Sequence, residues 1–326
     1  MANPVLVEVT RAALVESVHR GSIAIADANG AIRFALGDVE TPVYSRSSLK
    51  PIQALPLVES GAADAFHLSD EDVALACASH SGEPMHTSRV AAWLSRIGCS
   101  ESDLACGPQA PRYEPALEEM LRNGEKPTRL QNNCSGKHTG FLTVARHWGI
   151  ATAGYERIDH PVQQAVAKAL RTLSGVGDLA WGVDGCAAPN FALPLAGFAR
   201  ALAQIAGWRT VGANRITRAM IAHPALVGGT GRACTALMRA AKGRAAVKIG
   251  AEGVYAAMLP ERGLGIALKI DDGASRASEI AIAAILTKLG VLDDNARELM
   301  IAPVLNTRGE IVGERRPAPA LAQISI

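Results

Sequence analysis

Two serine–lysine pairs in this 326-residue sequence have residue types that hydrolytic chemistry can use. The first is Ser47 with Lys50, in Ser47-Ser48-Leu49-Lys50. Three residues apart on a helix, the two side chains share a face and can meet. A serine hydroxyl becomes a nucleophile when a base takes its proton, and a lysine partly removed from water has a lowered pKa and can be that base. Pro51 is tolerated only in the first turn of a helix. The helix therefore starts near Ser47 or Ser48, where free N–H groups can face a developing oxyanion. Ile52, Ala54, Leu55, Leu57 and Val58 leave it little polar surface, which predicts a buried helix.

The second pair is Ser79 with Lys248. Asp72 to Ala78 reads as a helix capped by Ser69 with Asp72 three residues on, and it runs into Ser79-His80-Ser81-Gly82-Glu83-Pro84. The S-x-x-K arrangement also serves in penicillin-binding proteins and class A β-lactamases, where a second hydroxyl relays protons beside the first. Ser79 is the candidate for that hydroxyl; a helix-terminal turn satisfied by its own hydroxyls is the alternative. Lys248 lies in the apolar run Val247-Lys248-Ile249, where a charge needs a partner or a cleft. Gly250 and Gly253 after it permit close backbone approach to a ligand. An edge lysine facing solvent is the other reading.

Asn132-Asn133-Cys134-Ser135-Gly136-Lys137-His138 is dense in potential metal ligands. It is not a phosphate loop, because Gln131 stands where the earlier glycine is required and His138 where a Ser or Thr is. A second turn, Val183-Asp184-Gly185-Cys186, can bring another thiolate near. If a metal is held, Cys134 and Cys186 are the soft ligands, and Lys137 can join them once it loses its proton. Two distant cysteines without C-x-x-C spacing are more often buried small hydrophobes than zinc ligands.

The elements that must carry these residues divide the chain. Val5, Val7 and Val9 alternate as in a half-buried strand. Ser22–Ile25 and Ala31–Phe34, joined through Asn29-Gly30, read as a hairpin. Alanine- and leucine-rich helical segments then run from about Pro51 to Ala241, among them Val90–Leu94 ending at Gly98 and Leu195–Ala206 ending at Gly207. Strand patterns return at Ala245–Leu259 and Gly265–Ile270, and Ser278–Leu289 reads as a last helix. The expected fold is α/β in the broad sense (α+β), one mixed, mostly antiparallel sheet built from both termini with a helical lobe inserted. One enzyme unit results, with residues 1–45 and 243–326 as the sheet lobe and 46–242 as the helical lobe. Gly228-Gly229-Thr230-Gly231 precedes a helical run and reads as its cap.

Composition narrows the partners. A net charge of +2 and 4% aromatic residues give neither the field nor the stacking surface for nucleic acid. No uncharged apolar run approaches a membrane span. Met1-Ala2-Asn3-Pro4 does not open a signal peptide. A cytoplasmic enzyme is expected, its six cysteines thiols or metal ligands instead of disulfides.

With these residues assembled, the sequence resembles the asparaginase II family of the rhizobial type. The shared motifs are Leu14-Val15-Glu16-Ser17-Val18-His19-Arg20-Gly21, Arg46-Ser47-Ser48-Leu49-Lys50-Pro51, Ser79-His80-Ser81-Gly82-Glu83, Asn132 to His138, Asp184-Gly185-Cys186, Gly250-Ala251-Glu252-Gly253 and Asn306-Thr307-Arg308-Gly309. The resemblance implies a serine β-lactamase or glutaminase-like fold, a homodimer, and hydrolysis of L-asparagine to aspartate and ammonia. It implies Ser47 with Lys50, and Ser79 with Lys248, as catalytic pairs. Zinc near the substrate would be held by Cys134, Lys137 and Cys186. Substrate contacts would fall to Arg46, His80, Gly82, Glu83, Asn133, Asp184, Gly250 and Ala251, with the N–H groups of Ser47 and Ala251 facing the oxyanion. Ala187 stands where the family has glycine. The rival readings are a glutaminase or another serine amidase of the same fold, and a zinc-dependent binding protein without turnover.

Overall fold

The computed structural model describes residues 2–208, 210–293 and 296–326. Eleven strands are found among them: β1 (Val5–Arg11), β2 (Leu14–Asp27), β3 (Ile32–Leu36), β4 (Pro42–Tyr44), β5 (Ala180–Val183), β6 (Pro189–Pro194), β7 (Ala246–Ile249), β8 (Val254–Leu259), β9 (Leu264–Ile270), β10 (Ala302–Leu305) and β11 (Ile311–Pro317). Eight form one antiparallel sheet in the order β10-β11-β1-β2-β9-β8-β7, with β3 also on β2. Both ends of the chain build it, as the alternation at Val5–Val9 and the Asn29-Gly30 turn predict. Gly30 takes φ +86°, the left-handed backbone that such a turn needs.

β8 is buried along its whole length with no alternation, so both faces of the central strands are covered. The helices Leu195–Ala206 and Ser275–Lys288 pack on β8 and β9. Gly265 explains how closely the first one lies, since a Cβ there would run into the backbone of Ala199 and Ala203.

Three expectations need correction. The run Ala245–Leu259 is two strands, because the chain reverses through Gly250–Gly253 and returns as β8 against β7. The helix expected after Ser47 is broken into a 3-10 turn, Arg46–Leu49, and two short helices, Lys50–Gln53 and Leu55–Glu59. Pro51 and Pro56 each restart the helix because a proline cannot donate within it. The middle of the chain also contains a second sheet, β4-β6-β5, which carries the Asp184–Cys186 turn between β5 and β6.

Candidate active site

Ser47 sits in the 3-10 turn Arg46–Leu49, where residues three apart lie one above the other. The turn is set by its first residue. Arg46 has φ +49°, a strained value for a side chain with a Cβ. Two contacts hold it there: its N–H donates to Asn190 Oδ1 at 3.0 Å, and its guanidinium meets Asp184 Oδ1 at 3.0 Å. Asn190 was not legible in the sequence, because a lone asparagine after a proline carries no signal of its role.

Lys50 does not reach the Ser47 hydroxyl, which makes no hydrogen bond among the described residues. The Lys50 backbone N–H caps the Ser47 carbonyl. Its side chain, fully buried, turns inward to donate to the Ala78 carbonyl and to Ser79 Oγ, the latter at 2.9 Å. A buried amine must take its partners where the interior offers them. Lys248 is also fully buried, so the solvent-edge reading fails. It donates to Ser79 Oγ at 2.8 Å and to the Ile249 carbonyl at 2.7 Å. The one serine hydroxyl therefore bridges both lysines. Burial, aided by the Lys50 charge, lowers the Lys248 pKa to about 7. A lysine so placed is in part a free base near neutral pH.

Ser79 follows the helix Asp70–Ala76, whose start is the capping box expected from Ser69 and Asp72. Its N–H donates to the Val227 carbonyl at 3.0 Å, which ties the segment leading to His80 to the helix Pro224–Val227. Gly250 explains how the lysine strand reaches Ser47. A Cβ on it would lie 3.1 Å from the Ser45 carbonyl oxygen and 3.3 Å from the Ser48 nitrogen. The glycine thus admits the serine turn, and not a ligand as the sequence pattern suggests. Gly253 likewise faces Ile270. The N–H groups of Ser47 and of exposed Ala251 donate to no acceptor among the described residues.

Several residues carried over as substrate contacts are engaged within the protein. His80 is wholly buried, with Nδ1 accepting the Gly82 N–H at 3.2 Å and Nε2 paired with Ser135 Oγ at 2.9 Å. Burial and the His86 ring stacked on it hold its pKa well below the usual range, so it is neutral. No ring atom is left for a substrate. The Glu83 carboxylate accepts from the Ser81 hydroxyl, from the Thr230 N–H at 2.8 Å and from the Thr230 hydroxyl at 2.7 Å. It staples the Gly228–Gly231 turn, and Thr230 is a partner of Glu83, not a helix cap. Gly82, at φ +75°, packs on Gln131 and Pro111. Asn133 is half-buried, its amide donating to Gln109 Oε1 at 2.7 Å. Arg46, Asp184 and Ala251 retain exposure.

Cys134, Lys137 and Cys186 converge. Lys137 Nζ donates to Cys186 Sγ at 3.0 Å, and the Cys134 thiol lies 3.2 Å from Asn133 Oδ1. The neighbouring Cys134 side chain lowers the Cys186 pKa to about 4, and Cys186 in turn raises that of Cys134 to about 12. Burial works against the Lys137 ammonium, yet the neighbouring Cys186 and Cys134 sulfurs outweigh it and its pKa is raised. Two sulfurs and one amine form a donor set whose chemistry suits zinc. The residues fit that metal, on condition that Lys137 and Cys134 give up their protons. Among the described residues no three His, Cys, Asp or Glu side chains converge as a metal site. All six cysteines are unbridged.

Buried amines around a serine hydroxyl are an arrangement that hydrolytic acyl chemistry can use. The chain belongs to the L-asparaginase II family, whose model matches residues 7–317, and it is an asparaginase-type amidohydrolase. Comparison with curated proteins finds no match. Among solved structures it is similar to a candidate β-lactamase from Bacteroides dorei, at 15% identity over 77% of this chain and 84% of that one, with a TM-score of 0.42. It is also similar to a β-lactamase from Mycobacterium bovis, at 14% identity over 82% and 94% of the two chains, TM-score 0.40. A third is the octameric penicillin-binding protein homologue from Pyrococcus abyssi, at 13% identity over 83% and 73%, TM-score 0.38. No helix among the described residues is long and apolar enough to cross a membrane.

Proposed function

We propose that the chain is a rhizobial-type asparaginase that hydrolyses L-asparagine to L-aspartate and ammonia through a serine ester. The observation that carries this reading is the Ser79 hydroxyl shared by Lys50 at 2.9 Å and Lys248 at 2.8 Å. Neutral Lys248 takes a proton from Ser79, which takes one from Lys50, and the Lys50 amine must then swing from Ala78 and Ser79 to Ser47 to act as its base. Ser47 Oγ then attacks the side-chain carbonyl carbon, and the N–H groups of Ser47 and Ala251 bind the oxyanion. As the C–N bond breaks, the proton stored on Lys248 returns through Ser79 to the leaving nitrogen, which departs as ammonia. Water hydrolyses the aspartyl ester, and Ser47 regains its proton.

Arg46 and Asp184, joined at 3.0 Å and each keeping some exposure, offer opposite charges to the substrate's α-carboxylate and α-amino groups. Cys134, Lys137 and Cys186 would hold zinc, which would supply a Lewis-acidic centre for orienting the substrate. The enzyme works as a homodimer in the cytoplasm.

A second reading exchanges the serines, since Ser79 and not Ser47 has the amine contacts. Trapping the ester by rapid acid quench and locating it by mass spectrometry separates the two: an adduct on the Ser79 peptide overturns the assignment of Ser47. Ser47→Ala should abolish ammonia release from L-asparagine, and unchanged release would remove the serine mechanism. A higher kcat/KM for L-glutamine would make the chain a glutaminase. Binding of asparagine with no turnover under any condition would make it a binding protein. Elemental analysis of protein purified without added zinc tests the metal, and light scattering tests the dimer.

A further inference from the structure

Lys248 lies on β7, the last strand of its sheet, which pairs only with β8 among the described residues. Backbone groups on the far side of such a strand have no ladder partner. At Ile249 both of them find other partners. The carbonyl accepts the Lys248 amine at 2.7 Å, and the N–H donates to Cys234 Sγ at 3.2 Å. Cys234 is the second residue of the helix Ala233–Ala240 and is buried. Its sulfur also lies 3.1 Å from the hydroxyl of Tyr255, which stands opposite Ile249 in β8 and is itself fully buried. One sulfur thus joins a helix and two strands at the residue that anchors the amine. On its other side Ile249 runs into Gly250, pressed against the Ser45–Ser48 turn. The Ile249 carbonyl is therefore held from both directions.

We propose that Cys234 is a positioning residue for Lys248: by accepting the Ile249 N–H it fixes the backbone whose carbonyl holds the amine on Ser79. The inference rests on the reading of Lys248 as part of the proton relay. Displacements well under an ångström matter in such a relay, because proton transfer requires hydrogen-bond reach. A cysteine kept only as a small apolar filler makes the opposite demand on substitutions. Filling is preserved by valine and impaired by serine, whereas acceptance of the N–H is preserved by serine and lost with valine.

The test measures kcat and KM for L-asparagine in Cys234→Ser and Cys234→Val, with thermal melting as the check on folding. Cys234→Val should lose about tenfold or more in kcat at unchanged KM, and Cys234→Ser should stay within about threefold of the parent. If the valine variant does not fold, Cys234→Ala takes its place with the same expectation. Parent-like kcat in the valine or alanine variant overturns the proposal, and so does a serine variant that loses as much as they do. Lys248→Met assayed in parallel separates the two levels. Turnover surviving that change removes the role of Lys248 itself, whereas its loss beside an unaffected Cys234→Val removes only the positioning role.

Discussion

Replacing Lys248 by Met keeps an unbranched side chain of similar length but removes a buried amine, and the effect on stability must depend on pH. Burial, followed by the charge of Lys50, brings the Lys248 pKa from 10.5 down to about 7. The groups facing it are Lys50 from the serine turn, Ser79 and Cys77 from the end of Asp70–Ala76, Cys234 and Arg232 from Ala233–Ala240 and its cap, and Cys134. In the unfolded chain the amine stays protonated up to roughly pH 10.4. Between about 7 and 10.5 the unfolded chain binds more protons, so the stability contributed by this site rises with pH through that window. At 1.36 kcal/mol per pH unit, burying the lysine costs about 4 kcal/mol at pH 7 and about 1 at pH 9.5, as upper bounds. Met has no such dependence. It does leave the Ile249 carbonyl without its donor, at a cost of about 1–3 kcal/mol at every pH. Lys248→Met should therefore be more stable than the parent by about 2 kcal/mol near neutrality, and the advantage should vanish or reverse near pH 9.5. Equilibrium urea denaturation of both proteins across that range measures the difference. Stability curves that run parallel within about 0.5 kcal/mol would refute the reasoning, because they would mean that Lys248 is charged in the folded state.

The same titration governs activity: kcat/KM should fall as pH drops below about 7, where Lys248 takes up its proton. Lys248→Arg, which cannot deprotonate in this range, should be inactive throughout. Ala187 has φ +72° in the turn that carries Cys186, a conformation costing about 1 kcal/mol for a residue with a Cβ. Ala187→Gly should raise stability by about 0.5–1 kcal/mol, read as a higher urea midpoint at unchanged slope. Gly250→Ala puts a Cβ 3.1 Å from the Ser45 carbonyl oxygen, displacing the serine turn. It should cut kcat about tenfold or more while leaving most of the melting temperature, as steady-state assays and calorimetry would show.

The sequence reading was strongest where a local rule acts alone. Asn29-Gly30 marks a hairpin, Ser69 with Asp72 marks a helix start, and Leu195–Ala206 has a helical period that ends at a glycine; all three are present in the structure. It was weakest where the partner is distant in the chain. The spacing of Ser47 and Lys50 predicts a hydroxyl–amine contact, yet the amine turns to Ala78 and Ser79, which no helical periodicity relates to it. β5 and β6 are too short to show a pattern, and the third strand of their sheet, β4, arrives from residues 42–44. His80 and Glu83 stand in a polar cluster that looks like a binding loop. Their partners, Ser135 and Thr230, are 55 and 147 residues away, so their structural role was invisible in the sequence.

The convergence of two lysines on one hydroxyl bears on why the site needs two serines at all. Two ammonium groups a few ångströms apart in a water-excluded interior repel each other strongly, and the Lys50 charge indeed helps to lower the Lys248 pKa. A single lysine in contact with a single serine would have to serve as base for attack and then as acid for the leaving group from one position. With Ser79 between the amines, a proton taken at the Lys50 side can be held at Lys248 and handed back later. Capture and release then occur at different atoms while the buried charge changes little. The carbonyls of Ala78 and Ile249 complete this arrangement, because each amine keeps a fixed acceptor whichever of them holds the proton. On this account Ser79→Ala should damage catalysis at least as much as loss of Lys248, about 10²–10⁴-fold in kcat. A Ser79→Ala variant with near-parental kcat would show that the two lysines act independently.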